Sequence, residues 1–402
     1  MRYREIPHFI IKNPMNKTSA TGKVFGDDVT VSVLQDVCIR ISGQKQFTHE
    51  YVGNDYQDEF IPKSYNRGRT AIMQYRDDVS YISFSEKEAD GRNSSVQSVP
   101  TAYNMYYINP YPKKKIYYYF LSNSEGIGTP YQRFIYRLLR TIGFEFLNDV
   151  ESIGTKVQAF ISAEDIILNR KNNTKKNQSN NPTYVTKSSD QTIEVYGKTF
   201  GANKYETSLI CYALSNLCQI GQKVKLYQVG EGDLDILPAS SLHVLRQMGN
   251  VSLIRTDMRL EKKHFEDNNS LRSPRYIYNL LRRLGKKHCA LCNCEIPELI
   301  QGAHIWPVAD IKKAPALTLE QRLEYALDGE NGLWLCENHH KLFDEGMLTF
   351  DLVGNMVSQQ GLENSHQSFI DEITRYRKLP QKFITNKFMW YLEQRCKTER
   401  TT

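Results

Sequence analysis

The alternation of apolar and polar positions predicts strands and helices in mixture over the first 170 residues. In VTVSVLQDVCIRI (29–41) the alternation suits a strand ending near Ile41. YISFS (81–85) and IYYYFL (116–121) read as two further strands. YQRFIYRLLRTIG (131–143) has the helical period instead. Phe134, Ile135, Leu138, Leu139 and Ile142 share one face, Arg133, Arg137 and Arg140 the other, and Gly143 can end the helix. The arginine face suits phosphates, but such faces are often simply solvated.

Residues 101–120 hold seven tyrosines and the run Lys113–Lys115. Aromatic and basic side chains interleaved can stack bases and neutralise a backbone, and tyrosines also fill half-buried strands. Residues 171–190 are polar and turn-rich, a linker or a long loop. A small intermediate α/β segment follows at 191–270. Within it Cys211, Leu214, Leu217 and Cys218 lie on one helical face as core residues, with Gly221 as the cap. In SLRSPRYIYNLLRRLGKKHC (270–289), Ser273 is a good N-cap, Pro274 suits the first turn, and Gly285 ends the helix. Residues 255–287 contain ten Lys/Arg against four Asp/Glu. Arg282, Arg283, Lys286 and Lys287 are therefore candidate phosphate contacts, the alternative being an ordinary solvated helix.

Composition adds bounds. The chain has 402 residues, 40% hydrophobic and 24% charged, with formal net charge +7. That length suggests several domains, and the mild basicity permits a nucleic-acid partner. No apolar leader opens the chain and no apolar run is long enough to span a bilayer, so a cytoplasmic location without membrane attachment is expected. Thiols stay reduced there, and clustered cysteines are then metal ligands rather than disulfides. Four of the eight cysteines fall between 289 and 336.

Cys289 and Cys292 form a C-x-x-C pair, and Cys336 and His339 form a C-x-x-H pair. Two such pairs supply the four ligands of a tetrahedral structural zinc, with Cys294 as an alternative ligand. Between them, LIQGAHIWPV reads as a short strand carrying His304. TLEQRLEYAL reads as a helix with a Thr318/Gln321 capping box. Gly332–Cys336 reads as a second strand, and Glu337–Asp344 as a helix stopped at Gly346. On that helix His340 and Asp344 stand at i and i+4, so both can reach one divalent cation, while neighbouring His339 turns about 100° away toward the zinc.

This arrangement resembles the HNH nucleases, carried by His304 in AHIWP, Asn331 in NGLWLC and His340 in HHKLFD. The phrases IPELIQGAHIWPV and NGLWLCENHHKLFDEGMLTFD look like the branch seen in restriction endonucleases. The resemblance implies a ββα-metal fold. His304 would be the general base, Asn331 would hold the loop that orients it, and His340 and Asp344 would bind Mg²⁺ or Mn²⁺. The products would carry a 5′ phosphate and a 3′ hydroxyl. Ala303 departs from the many members that carry another metal ligand before the base, so that either His304 itself leans toward the metal or water, substrate phosphate or a carboxylate such as Asp310 completes the sphere.

The expected fold is thus α+β and multidomain. An N-terminal mixed α/β recognition region (1–170) is followed by a C-terminal ββα-metal nuclease domain with a structural zinc (271–360) and a helical tail (361–402). The implied activity is a type II restriction endonuclease acting on double-stranded DNA, with a homodimer as the form that cuts both strands. FITNKFMWYLEQRC (383–396) is either a docking helix for that dimer or a helix packed on its own subunit. The alternatives are a modification-dependent defence nuclease and a zinc-stapled binding module with an inactive site.

Overall fold

The computed structural model describes residues 3–12, 29–52, 56–61, 70–85, 98–121, 130–149, 157–173, 183–198, 203–229, 237–256, 258–268 and 273–399. The chain divides into two compact units. One takes residues 1–173, 199–224 and 235–252; the other takes 174–198, 225–234 and 253–402. The division differs from a boundary at 170 followed by a linker. Residues 174–182 of that expected linker lie outside the described residues. Beyond them TYVTK and TIEVYG alternate apolar with polar positions, and Tyr184 and Tyr196 join the core of the second unit.

The first unit opens with β1 (Arg4–Lys12), α1 (Val31–Ser42), β2 (Thr48–Val52), β3 (Thr70–Arg76), β4 (Asp78–Phe84), α2 (Val99–Ile108) and β5 (Lys114–Tyr119). Then come α3 (Pro130–Thr141), β6 (Glu145–Phe146) and α4 (Ala163–Asn173). Among the described residues its strands form one mixed sheet in the order β2-β1-β3-β4-β5-β6. Strands β1/β2, β4/β5 and β5/β6 pair parallel, and β1/β3 and β3/β4 antiparallel.

One expectation is overturned here. The stretch 29–41 is mostly the helix α1, not a strand. The alternation of its first residues is short-lived. Leu34, Val37 and Cys38 face the core at helical spacing, whereas Val31 and Ile39 are exposed. The Thr30 hydroxyl caps the helix by accepting from Val33 N–H at 3.3 Å.

The strands at 81–85 and 116–121 and the helix at 131–143 fall where the pattern places them. Four tyrosines of the tyrosine-rich stretch are core and Tyr106, Tyr107 and Tyr111 are half-buried: Tyr103 packs on Tyr212 with ring centroids 4.7 Å apart, and Tyr118 sits among Phe120, Tyr136 and Phe146. Lys114 gives its ammonium protons to the carbonyls of Tyr106 and Asn109. On α3, Arg137 pairs with Asp165 at 2.7 Å and Arg140 lies over the Phe146 ring at 4.2 Å. Two of the three arginines therefore serve the unit itself.

Further along are β7 (Tyr184–Lys187), β8 (Ile193–Lys198), α5 (Asn203–Leu217), β9 (Val224–Val229), α6 (Ala239–Gln247) and β10 (Val251–Thr256). Helix α5 buries Cys211 and Leu214, but it stops at Leu217, so Cys218 is only half-buried and Gly221 (φ 85°) lies in the following turn rather than at the cap. Strands β7 to β10 form a sheet in the order β10-β9-β8-β7.

The rest of the second unit comprises α7 (Met258–Asp267), α8 (Pro274–Leu284), β11 (Ile300–His304), α9 (Val308–Lys313) and α10 (Leu319–Leu327). It continues with β12 (Gly332–Cys336), α11 (Glu337–Asp344), β13 (Leu348–Phe350), β14 (Met356–Ser358), α12 (Asn364–Ile373) and α13 (Asn386–Glu399). Strands β11 and β12 form an antiparallel hairpin with His304 opposite Gly332 and Ile300 opposite Cys336. Helix α8 lies on one face of this hairpin so closely that a Cβ at Gly332 would meet the Tyr276 hydroxyl at 2.3 Å and the Leu280 side chain at 2.6 Å. Helix α13 packs on its own subunit: Phe388, Tyr391 and Leu392 are buried in the core that also holds Leu333 and Phe343. No helix among the described residues is long and apolar enough to cross a membrane.

Candidate functional site

The hairpin and α11 carry two candidate sites. At the Cys336 end, Cys289, Cys292, Cys336 and His339 bring their ligand atoms within 4.8 Å of one another. His339 Nδ1 lies 3.1 Å from Cys336 Sγ and 3.5 Å from Cys289 Sγ, and the sulfurs of Cys292 and Cys336 are 3.8 Å apart. Zn–S bonds of about 2.3 Å in a tetrahedron put sulfurs about 3.8 Å apart, so the donor set fits zinc. Cys289 hydrogen-bonds the Cys336 sulfur and His339 adds to the effect, which holds Cys336 well below the ordinary thiol range. Cys294 stays outside the cluster and contributes its carbonyl to Cys289 N–H at 3.0 Å. With Nδ1 turned to the sulfurs, His339 Nε2–H donates to Thr374 Oγ1 at 3.1 Å. Such outer partners fix the tautomer of a metal-binding imidazole. No local motif marks Thr374, which lies 35 residues beyond His339.

At the other end stand the residues expected to do chemistry. The Nε2 atom of His304 is 3.0 Å from the carbonyl of Ala326. A carbonyl only accepts, so Nε2 carries the proton and Nδ1 keeps its lone pair. The ring lies against that of Tyr276, with centroids 3.8 Å apart and planes 12° apart. Burial holds the imidazole pKa down at about 4, the Ala326 contact opposes this, and the nearby His340 adds to the depression.

Asn331 is fully buried and grips the turn that follows His304. Its Oδ1 accepts from Trp306 N–H at 2.7 Å, and its Nδ2 donates to the carbonyls of Trp306 and Tyr325, both at 3.1 Å. Its backbone carbonyl accepts from Ile305 N–H at 3.1 Å. The Tyr276 hydroxyl is shared between the carbonyls of Ala303 (3.3 Å) and Asn331 (3.4 Å).

His340 and Asp344 meet on one face of α11, Nε2 to Oδ2 at 3.3 Å. The other ring nitrogen, Nδ1, is 3.2 Å from Gln301 Oε1 on β11. Among the described residues no third Cys, His, Asp or Glu joins this pair, Asp310 included. Gln301 is the polar side chain that sequence reasoning missed. Strand alternation beside Ala303 was its only signal.

From α13, Arg395 reaches back into the site. It lies 4.1 Å over the Phe343 ring, donates to Ile305 O at 3.3 Å and also donates to Phe343 O. It thereby ties the turn after His304 to α11.

The four candidate phosphate contacts behave differently from one another. Arg282 is exposed. Arg283 donates to the carbonyls of Gly329 (3.2 Å), Gly332 (3.0 Å) and Phe383 (2.6 Å) and pairs with Glu330 at 2.9 Å, so its guanidinium serves the fold. Lys286 pairs with Glu295 at 2.7 Å, and burial lowers the pKa of half-buried Lys287.

Residues 289–351 match the HNH endonuclease family model. The chain matches no curated protein.

Proposed function

With residues 289–351 forming an HNH endonuclease domain, the chain is a nuclease, and we propose that it is a type II restriction endonuclease cutting double-stranded DNA at a short site. His304 Nδ1 takes the proton of the attacking water while Nε2–H stays on Ala326 O. Asn331 holds the turn that sets the ring's direction. His340 and Asp344 hold a divalent cation, Mg²⁺ or Mn²⁺. Such an ion, when bound, supplies Lewis-acid stabilisation of charge on the phosphoryl group and the leaving 3′ oxygen. The products are a 5′ phosphate and a 3′ hydroxyl.

The observation that carries this reading is the state of His304. Its Nε2 is tied to the Ala326 carbonyl, burial holds its pKa low, and it sits on the strand beside the His340/Asp344 pair. A base needs to be neutral at working pH. Zinc on Cys289, Cys292, Cys336 and His339 is structural in this scheme. The first unit is assigned to site recognition, a homodimer to double-strand cutting, and the cytoplasm to the chain as a whole.

The test is incubation of the purified chain with plain and modified phage DNA plus Mg²⁺ or Mn²⁺, with the ends sequenced. Plain DNA cut at one short sequence supports the proposal. Cutting of modified DNA alone makes the chain a modification-dependent nuclease. Binding without cutting in Mg²⁺, Mn²⁺ or Ni²⁺ makes it a binding module.

A further inference from the structure

A cavity of about 420 Å³ opens on the second unit, away from the residues assigned to catalysis. Its wall includes Lys286, Lys378 and Lys382 together with Trp334, Tyr376 and Phe383. The volume lies in the range of sites that hold a small planar ligand, roughly 300–1,000 Å³.

The chemistry of the wall is selective. No carboxylate lines it. Glu295 pairs with Lys286 at 2.7 Å and stands 3.7 Å from His288, and Asp351 feels the charge of Lys378. Lys378 and Lys382 are exposed, and among the described residues neither has a carboxylate within ion-pair distance. Lys382 Nζ lies 5.1 Å from the Phe383 ring centroid. The Tyr376 ring is held by its hydroxyl, which donates to Asn293 Oδ1 at 2.5 Å. Trp334, itself almost fully buried, is part of the lining. Its indole N–H is committed to Gly285 O at 3.2 Å, so what it offers a ligand is apolar surface. Cationic groups beside aromatic faces suit an anion joined to a flat ring.

Trp334 belongs to β12, the strand that also carries Gly332 opposite His304. The cavity is thus built on the same hairpin as the nuclease site. We propose that it is a nucleotide subsite for a strand held by the nuclease domain. Lys378 and Lys382 take the phosphate, and Tyr376 and Phe383 contact the base. This rests on the nuclease reading.

The experiment uses the full zinc-loaded chain with no catalytic divalent ion added, and reads fluorescence anisotropy of a labelled single-stranded oligonucleotide over a range of salt. An abasic oligomer of equal length and a free mononucleotide are the other probes. Lys378→Ala/Lys382→Ala is expected to weaken both oligomers about tenfold and to lower the salt slope by about 1–2, since each neutralised phosphate contributes about one. Tyr376→Ala is expected to weaken the base-bearing oligomer about tenfold and to spare the abasic one. Lys378→Arg/Lys382→Arg is expected to restore binding, which separates lost charge from lost folding. Unchanged affinity and slope in the alanine variants, or no recovery with arginine, would overturn the proposal. A mononucleotide bound through Tyr376 with no lysine effect on the strand would overturn the strand assignment. Binding is read without cleavage, so an inactive wild type would sink the nuclease reading and leave these outcomes legible.

Discussion

The ring of His304 lies flat against that of Tyr276, 3.8 Å between centroids, and the Tyr276 hydroxyl reaches the carbonyls of Ala303 and Asn331 on either side of the hairpin end. Tyr276 comes from α8, upstream of the matched nuclease segment. One side chain thus sets both the plane of the proposed base and the spacing of the two strands that carry it.

Replacing Tyr276 tests the two contacts separately. Tyr276→Phe keeps the stacked ring and is expected to lower kcat only a few-fold. Tyr276→Leu removes the ring face and is expected to lower kcat by up to about 10²-fold with little change in KM, the cost of a base misplaced by an ångström or so. Steady-state cleavage of an oligonucleotide duplex measures both. Equal losses in the two variants would mean that the ring face has no positioning role.

His304 should dominate the pH behaviour. Its folded pKa of about 4 lies below the free imidazole value. The unfolded chain therefore binds more protons between about pH 4 and 6.5, and stability rises with pH there. The His304 contribution is present above about pH 6.5 and is lost as pH falls toward 4. Wild type should lose more melting temperature between pH 7.5 and 5 than His304→Gln, which also abolishes cleavage. Parallel losses would place the titration elsewhere.

The adjacent histidines should separate cleanly. His339→Ala is expected to lose zinc and most of the stability of the second unit, because structural zinc contributes about 10–16 kcal/mol of apparent binding free energy at neutral pH. His340→Ala is expected to keep its zinc and lose cleavage. Metal content of the purified variants by atomic absorption, beside a cleavage assay, decides this. The opposite pattern would exchange the two assignments.

Arg395 should matter to stability although it lies far from the nuclease motif in sequence. Arg395→Ala strips charge-assisted hydrogen bonds from two buried carbonyls, each worth about 1.5–3 kcal/mol. A loss of unfolding free energy of that order, seen as a lower urea midpoint, is expected, with a fall in cleavage as the turn after His304 loosens. An unchanged midpoint would make the α13 contact dispensable.

Local sequence determined the candidate metal cluster because its rules are short-range. Cys-x-x-Cys and Cys-x-x-His spacings define the proposed zinc donors, and i, i+4 spacing sets His340 beside Asp344. The Thr318/Gln321 box starts α10 where both of its hydrogen bonds form. The helix at 131–143 was readable from its apolar stripe for the same reason. Tertiary structure decided the rest. Residues 29–41 alternate like a strand at their start, yet Leu34, Val37 and Cys38 find a core only as a helix. Seven tyrosines beside lysines suit either a binding platform or a core, and packing buried Tyr103, Tyr117, Tyr118 and Tyr119 while leaving the other three half-exposed. Thr374, Gln301, Tyr276 and Arg395 reach the site across 28 to 90 residues of chain. No periodicity spans such distances. Contacts of that kind exist only once packing closes the loops between them, and their partners are carbonyls and ring faces, which leave no mark on the sequence.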